Sequence, residues 1–149
     1  MVQALYGYFV IPKLLGVDIG STAVGIGVIA LNSGAFISEI VKGALMSIDP
    51  GQKEAGASLG LTSAQTMIHL VIPPAFKAAL PVLFNQFIIS VKDTALLSAI
   101  AVNEITHQAQ AYAALSFKAI PTYTALAAFY LVILSVLIIV QKQIERKMR

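Results

Sequence analysis

The sequence predicts an all-α membrane protein with three full transmembrane helices and an N-terminal partial helix. Two features of the composition favour this fold class, because 58% of the 149 residues are hydrophobic and only 11% are charged. Soluble domains contain about 45–50% apolar and about 25% charged residues. The third observation is that charged residues are sparse in three stretches of about 20 residues or more, the length that spans a bilayer.

The composition also excludes several classes of function. The sequence contains no cysteine, so no disulfide, cysteine metal site or thiol nucleophile is possible. The net charge is +3, but the basic residues flank apolar runs and do not form a face with interleaved aromatic residues. We therefore expect the lipid bilayer as a partner and no nucleic acid. His69 and His107 are far apart in sequence, so we expect no metal site.

The first apolar segment, residues 1–12 (MVQALYGYFVIP), contains no charged residue. It is too short for a transmembrane helix, which needs about 20 residues. We interpret it as the end of a transmembrane helix whose beginning is absent from this sequence. A loop is then indicated by Pro12, Lys13, Gly16 and Asp18.

The first full transmembrane helix is predicted at residues 19–41. No charged residue occurs between Asp18 and Glu39. At about 1.5 Å per residue, this stretch spans a hydrocarbon core of about 30 Å. Small residues recur four apart, as at Ala23 and Gly27, which places them on one helix face and allows close contact with another helix.

The same region permits a different interpretation. Residues 16–29 (GVDIGSTAVGIGVI) resemble the phosphate-binding hairpin of actin-like sugar kinases and ATPases, in which an Asp-x-Gly-x-Thr turn joins two strands. Asp18, Gly20 and Thr22 fit that pattern. However, the actin-like fold needs a much longer chain, and this apolar run has the length of a membrane span. We therefore favour the transmembrane helix.

Residues 47–73 are predicted to form a cytoplasmic loop that contains two short helices. Asp49 can cap the first helix, and Pro50 suits its first turn. Thr62 and Gln65 have the spacing of a capping box, which indicates the start of the second helix.

Glycine and proline residues predict where these two short helices end. Gly56 and Gly60 lie four apart, which would place both on one face of the first helix, and a break is expected near Gly60. The Pro73-Pro74 pair is expected to stop the second helix. From spacing alone, the segment is either an ordinary connecting loop or a surface that another backbone approaches closely.

Two further transmembrane helices are predicted at residues 76–100 and 119–141. The first is interrupted by one Lys-Asp pair near its end. The second lies between Lys118 and Lys142 and contains no charged residue. The segment between them, residues 103–118, is polar on one side and is typical of a helix that lies at the membrane interface.

The charges of the tail predict the orientation of the helices. Basic residues are enriched in cytoplasmic loops, and Glu145 is the one acidic residue among four basic ones: Lys142, Arg146, Lys147 and Arg149. The C-terminus is therefore expected in the cytoplasm. Three spans then place residues 41–77 inside and residues 93–118 outside.

Residues 51–75 (GQKEAGASLGLTSAQTMIHLVIPPA) are similar to the EAA loop of permease subunits of binding-protein-dependent ABC importers. Residues 31–52 and 80–100 also resemble the polar amino acid subfamily of these permeases. Gly56 departs from the pattern, where the family usually has alanine. The positions that match the EAA pattern are Glu54, Ala55, Gly60, Leu70, Ile72 and Pro73.

The resemblance implies a type I ABC importer permease fold and a transport function without catalytic residues. The loop would form a coupling helix that docks on a separate ATPase chain, which would bind ATP and Mg²⁺; no cofactor is expected on this chain. The other implied partners are a second permease subunit, identical or related, and an extracytoplasmic solute-binding protein. The implied location is the bacterial inner membrane. The residues implied in ATPase docking are Glu54, Ala55, Gly56, Ala57, Gly60 and Leu61.

Polar residues within or near the spans are candidates for a substrate path, because such residues are costly in a membrane. Asn32 and Asn85 could instead hydrogen-bond a neighbouring helix. The charged candidates could instead snorkel to the interface or form an ion pair. These charged residues are Glu39, Lys92 and Asp93.

Permeases of the family usually have five spans, so the resemblance implies that an N-terminal part is missing from this sequence. An alternative function is then a non-transporting membrane interaction protein, a remnant that pairs with intact permeases. The principal prediction is a permease subunit that forms the path for an amino acid and couples to an ATPase through the EAA loop. The resemblance to the polar amino acid subfamily implies a polar amino acid as the substrate.

Overall fold

A computed structural model describes residues 1–148, and these residues confirm the predicted all-α fold. No β-strand occurs among them. A π-helical turn, Met67–Val71, precedes α6, and a 3-10 helix, Thr94–Ile100, follows it. The α-helices are α1 (Val2–Phe9), α2 (Ile11–Leu15), α3 (Ser21–Met46), α4 (Gly51–Ser58), α5 (Ser63–Thr66), α6 (Ile72–Asp93), α7 (Ile105–Ser116) and α8 (Ala119–Met148). The predicted basic tail extends to Arg149, which lies outside the described residues.

Among the described residues, three helical stretches are long and apolar enough to cross a membrane: Ser21–Met46, Ser63–Ile100 and Ala119–Arg146. Little of their apolar surface is buried within the chain, and none of the most apolar window of the third stretch is buried. Exposed apolar surface on this scale requires cover from lipid or from other protein.

The phosphate-binding interpretation of residues 16–29 is wrong. The predicted turn of Asp18, Gly20 and Thr22 lies at the start of α3, where the Gly20 carbonyl accepts hydrogen bonds from the backbone of Ala23 and Val24. The residues that should form the second strand are helical. The uncharged apolar run therefore forms a helix of membrane length, as its composition predicts.

The chain divides into two compact units. The first contains residues 1–33 and 88–140, and its core consists of Ala4, Val24, Leu97 and Ile100. Gly25 lies beside this core, where a β-carbon would stand 3.0 Å from Leu97 Cδ1. The absence of a side chain at Gly25 therefore lets α3 approach the 3-10 helix closely. The hydroxyl groups of Ser33 and Ser90, 2.9 Å apart, join α3 to α6.

The second unit contains residues 34–87 and the chain from Gln141 onwards. It holds α4 and α5, together with the adjoining parts of α3 and α6. The C-terminal half of α3 and the first turns of α6 enclose an apolar groove of about 300 Å³, which is lined by Ala44, Ala75 and Ala79 among others. Gln141 of α8 donates a hydrogen bond to the Pro81 carbonyl at 3.4 Å.

Candidate functional site

The start of α4 is fixed by an acidic residue just before it. Asp49 accepts a hydrogen bond from the backbone N–H of Gly51 through Oδ1, at 2.8 Å. Asp49 and Glu54 thus place negative charge at the N-terminal end of α4, where the helix dipole favours it. The N-cap position of α4 is Pro50, so the predicted positions of Asp49 and Pro50 are each one residue too late in the helix. Asp49 still bonds the first helical N–H, from the position before the cap.

The end of α4 is a Schellman motif. The N–H of Leu61 donates to the Gly56 carbonyl and the N–H of Gly60 donates to the Ala57 carbonyl, both at 3.0 Å. Gly60 has a φ of 74°, a left-handed conformation that favours glycine. The expectation that Gly56 and Gly60 share one helix face is therefore wrong, because Gly60 lies beyond the last turn and reverses the chain.

The start of α5 is a capping box, as the spacing of Thr62 and Gln65 predicts. The Thr62 side chain accepts from the Gln65 backbone N–H, and Gln65 Oε1 accepts from the Thr62 backbone N–H at 2.9 Å. Only one residue, Leu61, separates the Schellman glycine from this cap. The turn between α4 and α5 is therefore tight, and its backbone groups have partners inside the turn.

The two short helices meet at Gly56, which is buried. A β-carbon at this position would lie 2.5 Å from Thr66 Oγ1 and 2.6 Å from Thr66 Cγ2. Thr66 is itself only 6% exposed. The residue that departs from the family pattern is therefore the one that lets α4 pack directly on α5. We name α4, α5 and the turn between them, residues 51–66, the loop hairpin.

The helix after the loop hairpin does not end at Pro73-Pro74, and that expectation is wrong. Helical structure continues from Ser63 through the π turn into α6. Both prolines lie in the first turn of α6, directly after the wider π turn. In a regular helix each proline ring would clash with the carbonyl four residues earlier. The π turn changes this register, since the Ile72 N–H bonds the Met67 carbonyl five residues back.

The predicted docking residues differ in burial and fall into three groups. Glu54, Ala55, Ala57 and Gly60 are exposed, Leu61 is half-buried and Gly56 is buried. A groove of about 320 Å³ lies between α4 and the start of the following helix. Its lining includes Lys53, Ala57, Leu61, Thr66 and Met67.

The candidate substrate-path residues lie on α3 and at several heights of α6. Asn32 is half-buried and Glu39 is exposed on α3. On α6, Asn85 and Lys92 are exposed and Asp93 is half-buried at the last position. The sequence reasoning did not select the Ser33–Ser90 pair, which adjoins Asn32, or Gln86, a polar residue only 8% exposed in α6. The sequence feature that could have identified these residues is a serine or glutamine within an apolar run.

The described residues contain no group of three or more histidine, aspartate or glutamate side chains that could hold a metal ion. In the loop hairpin, α4 presents small exposed side chains, and α5 continues through the π turn into the long apolar helix α6. The three long apolar helices define the class of the chain as a multi-pass membrane protein.

Comparison with known proteins identifies the family. Residues 2–149 match the family described as "Binding-protein-dependent transport system inner membrane component", and the chain belongs to that family. The chain is therefore a multi-pass component of the inner membrane, and the predicted permease identity is confirmed.

Individual relatives agree with this assignment. The glutamine transport system permease protein GlnP of Escherichia coli (strain K12) is 40% identical over 150 residues, which cover 100% of this chain and 68% of the relative. The arginine transport system permease protein ArtQ of Bacillus subtilis (strain 168) is 30% identical over 149 residues, again with 68% of the relative covered.

A solved structure confirms the fold. The crystal structure of an amino acid ABC transporter with histidines superposes with a TM-score of 0.92 and 34% sequence identity, over 98% of this chain and 68% of that chain. The predicted type I importer permease fold is therefore shown for the described residues.

Proposed function

We propose that this chain is a permease subunit that forms part of the path for an amino acid in an ATP-driven importer. The class of substrate comes from the relatives, since GlnP and ArtQ are named as glutamine and arginine transport permeases. Within this proposal the chain is not an enzyme. ATP and Mg²⁺ bind a separate ATPase, a solute-binding protein delivers the substrate, and a second permease subunit completes the path.

The loop hairpin docks on the ATPase in this proposal. The supporting observation is the contact of Gly56 with Thr66, which packs α4 on α5 and leaves Glu54, Ala55 and Ala57 exposed. Small side chains on the outer face permit a close approach by the partner. A displacement of α4 would pass through α5 and the π turn into α6 without crossing a flexible loop.

The orientation follows from this docking. An ATPase that uses cytoplasmic ATP requires the loop hairpin to lie in the cytoplasm. The two spans that follow the loop hairpin then return the chain to the same side, so the C-terminus is cytoplasmic too. The excess of basic residues after Gln141 supports the same orientation.

The path for substrate is proposed to involve α3 and α6. Asn32, Glu39, Asn85, Lys92 and Asp93 remain its candidates, and the Ser33–Ser90 pair adds hydroxyl groups that join the two helices. Polar groups at this depth are costly unless they bind each other or a polar solute.

Cysteine crosslinking tests the docking. The sequence has no native cysteine, so Ala57→Cys introduces a single thiol on the exposed face of α4. We expect a disulfide with a cysteine placed in the helix-binding groove of the ATPase. Ala23→Cys, on an exposed position of α3 outside the loop hairpin, is the matched control and should not crosslink. A functional complex in which Ala57→Cys does not crosslink would contradict the docking.

A second candidate is a membrane interaction protein that pairs with other permease subunits without transporting. The observation that favours it is the large apolar surface that the chain leaves exposed, including the most apolar window of Ala119–Arg146, in which no residue is buried. Substrate-stimulated ATP hydrolysis by a complex that contains this chain separates the two candidates, because only a transporting subunit would produce it.

A further inference from the structure

An open groove lies between α7 and α8 in the first compact unit, and its volume is about 540 Å³. The two helices are joined by a short turn at Phe117, whose φ of 57° reverses the chain. Away from this turn, the hydroxyl groups of Thr106 and Tyr130 lie 3.2 Å apart and hold the helices together. The groove is therefore bounded at the turn and by a hydrogen bond further along.

The chemistry of the lining changes along the groove. Near the turn it includes Lys118, together with the polar side chains of Tyr112 and Thr122. Further from the turn, the lining is formed largely by apolar side chains, among them Ala125, Leu126 and Phe129. One end of the groove thus carries a positive charge, and the rest is apolar apart from Gln108, whose carboxamide donates to Asn103. This pattern suits an amphipathic ligand with an anionic head.

The position of the groove relative to the membrane follows from the sequence of α8. Lys118 is the last charged residue before the uncharged run that ends at Lys142, so it marks one boundary of this span. Tyr112 and Tyr123 lie near the same boundary, where amphipathic aromatic rings are enriched in membrane proteins. The charged end of the groove therefore lies at the level of lipid headgroups, and its apolar part lies at the level of acyl chains.

We propose that this groove binds one phospholipid with an anionic headgroup. The headgroup phosphate contacts the Lys118 ammonium, and one acyl chain lies between α7 and α8 against Ala125 and Phe129. An extended acyl chain can enter a groove of this size, whereas a helix of about 10–12 Å diameter could only rest on its rim. This site is independent of the proposed transport function, since it requires neither the ATPase nor a substrate.

The experiment measures lipid binding by native mass spectrometry of the chain in detergent. The probes are phosphatidylglycerol and phosphatidylcholine with identical acyl chains. We expect the chain to prefer phosphatidylglycerol by about fivefold, the effect of one lysine near an anionic headgroup. Lys118→Gln should remove this preference, while Lys142→Gln, at the other end of the same span, should retain it.

A second pair of variants tests the acyl-chain part of the groove. Ala125→Phe fills the lining and should weaken the binding of both lipids at least fivefold. Ala127→Phe places the same ring on an exposed position of α8 that does not line the groove, and binding should be unchanged. Circular dichroism checks that each variant retains its helices.

Three outcomes would overturn the proposal. The first is equal binding of the two lipids by the unmodified chain, and the second is a preference that survives Lys118→Gln. The third is unchanged lipid binding in Ala125→Phe together with loss of a dimer, which would assign the groove to a second copy of this chain. If Ala125→Phe fails to fold, the comparison of Lys118→Gln with Lys142→Gln still decides the question.

Discussion

Thr66 occupies the space in which a β-carbon at Gly56 would lie, with its Oγ1 and Cγ2 at 2.5 and 2.6 Å from that position. Both residues are buried in the loop hairpin. The atoms concerned are near the backbone of α5, so they cannot rotate away as the end of a long side chain could. This contact sets the distance between α4 and α5.

Gly56→Ala is expected to separate the two helices of the loop hairpin. Alanine favours a helix over glycine by about 1 kcal/mol, but overpacking of a buried contact costs about 1–3 kcal/mol. We therefore expect faster hydrogen exchange of the amides in residues 51–66. Thr66→Ala removes the two closest atoms, so the double variant should recover most of the protection. Gly43→Ala on α3, where a β-carbon meets nothing within 4 Å, is the control and should not be destabilised. Equal exchange in Gly56→Ala and Gly43→Ala would contradict the argument.

Gly60→Ala is expected to weaken the Schellman motif without creating a clash. A β-carbon at Gly60 meets nothing within 4 Å, but the φ of 74° is unfavourable for alanine by about 1–2 kcal/mol. The amides of Gly60 and Leu61, which bond the end of α4, should exchange faster. Gly60→Asn should have a smaller effect, because asparagine tolerates the left-handed conformation better. If both variants exchange alike, the cost does not come from the backbone conformation.

The sequence predicts the overall fold correctly, together with the end of α4 near Gly60 and the start of α5 at Thr62, because these depend on local signals. Uncharged runs give the three spans, and the capping box of Thr62 and Gln65 depends on residues three apart. The contact of Gly56 with Thr66 depends on a chain reversal that spacing alone does not specify. Four-residue spacing predicts one helix face only while the helix continues, and Gly60 ends it.

The prolines and Glu104 show the same limit of sequence reasoning. Pro73-Pro74 predicts a helix end by local rules, but the preceding π turn lets the helix continue. Glu104 lies within the segment predicted as one interfacial helix, whereas it stands just before α7 and its carboxylate caps that helix by accepting from the N–H groups of Thr106 and His107. In both cases the outcome depends on backbone geometry over a full turn. The substrate-path candidates lie on α3 and α6. The periodicity within either helix does not predict that these two helices contact each other.

Deletion of Ile68 is expected to convert the π turn to regular α-helix. A π turn holds one residue more than an α turn, so removal of one residue keeps the register of α5 and α6. Ile68 is exposed, so the deletion should remove little packing. The prolines would then meet carbonyls four residues earlier, and we expect α6 to kink. Deletion of exposed Ala64 in α5, by contrast, should rotate the loop hairpin about the helix axis.

Spin labels on the loop hairpin and on α6 provide the measurement for the π turn. The distribution of distances between the two labels should shift or broaden in the Ile68 deletion relative to the intact chain. In a complex with an ATPase, ATP hydrolysis should lose its response to substrate. An unchanged distance and an unchanged response would show that the π turn has no role in transmitting movement.

Glu54→Ala is expected to reduce coupling without loosening the loop hairpin. The Glu54 side chain is exposed, and the hydrogen bond from Ser58 Oγ uses its backbone carbonyl, at 2.9 Å, which alanine retains. Alanine is also the better helix former. Hydrogen exchange of residues 51–66 should therefore change little, apart from a small loss of favourable charge near the helix start. Substrate-stimulated ATP hydrolysis should fall, because the carboxylate is a docking contact in the proposed function. Gln52→Ala alters another exposed polar side chain of α4 and should leave both quantities near their original values. A fall in ATP hydrolysis that is matched by Gln52→Ala would assign the effect to α4 as a whole and would contradict a specific role for Glu54.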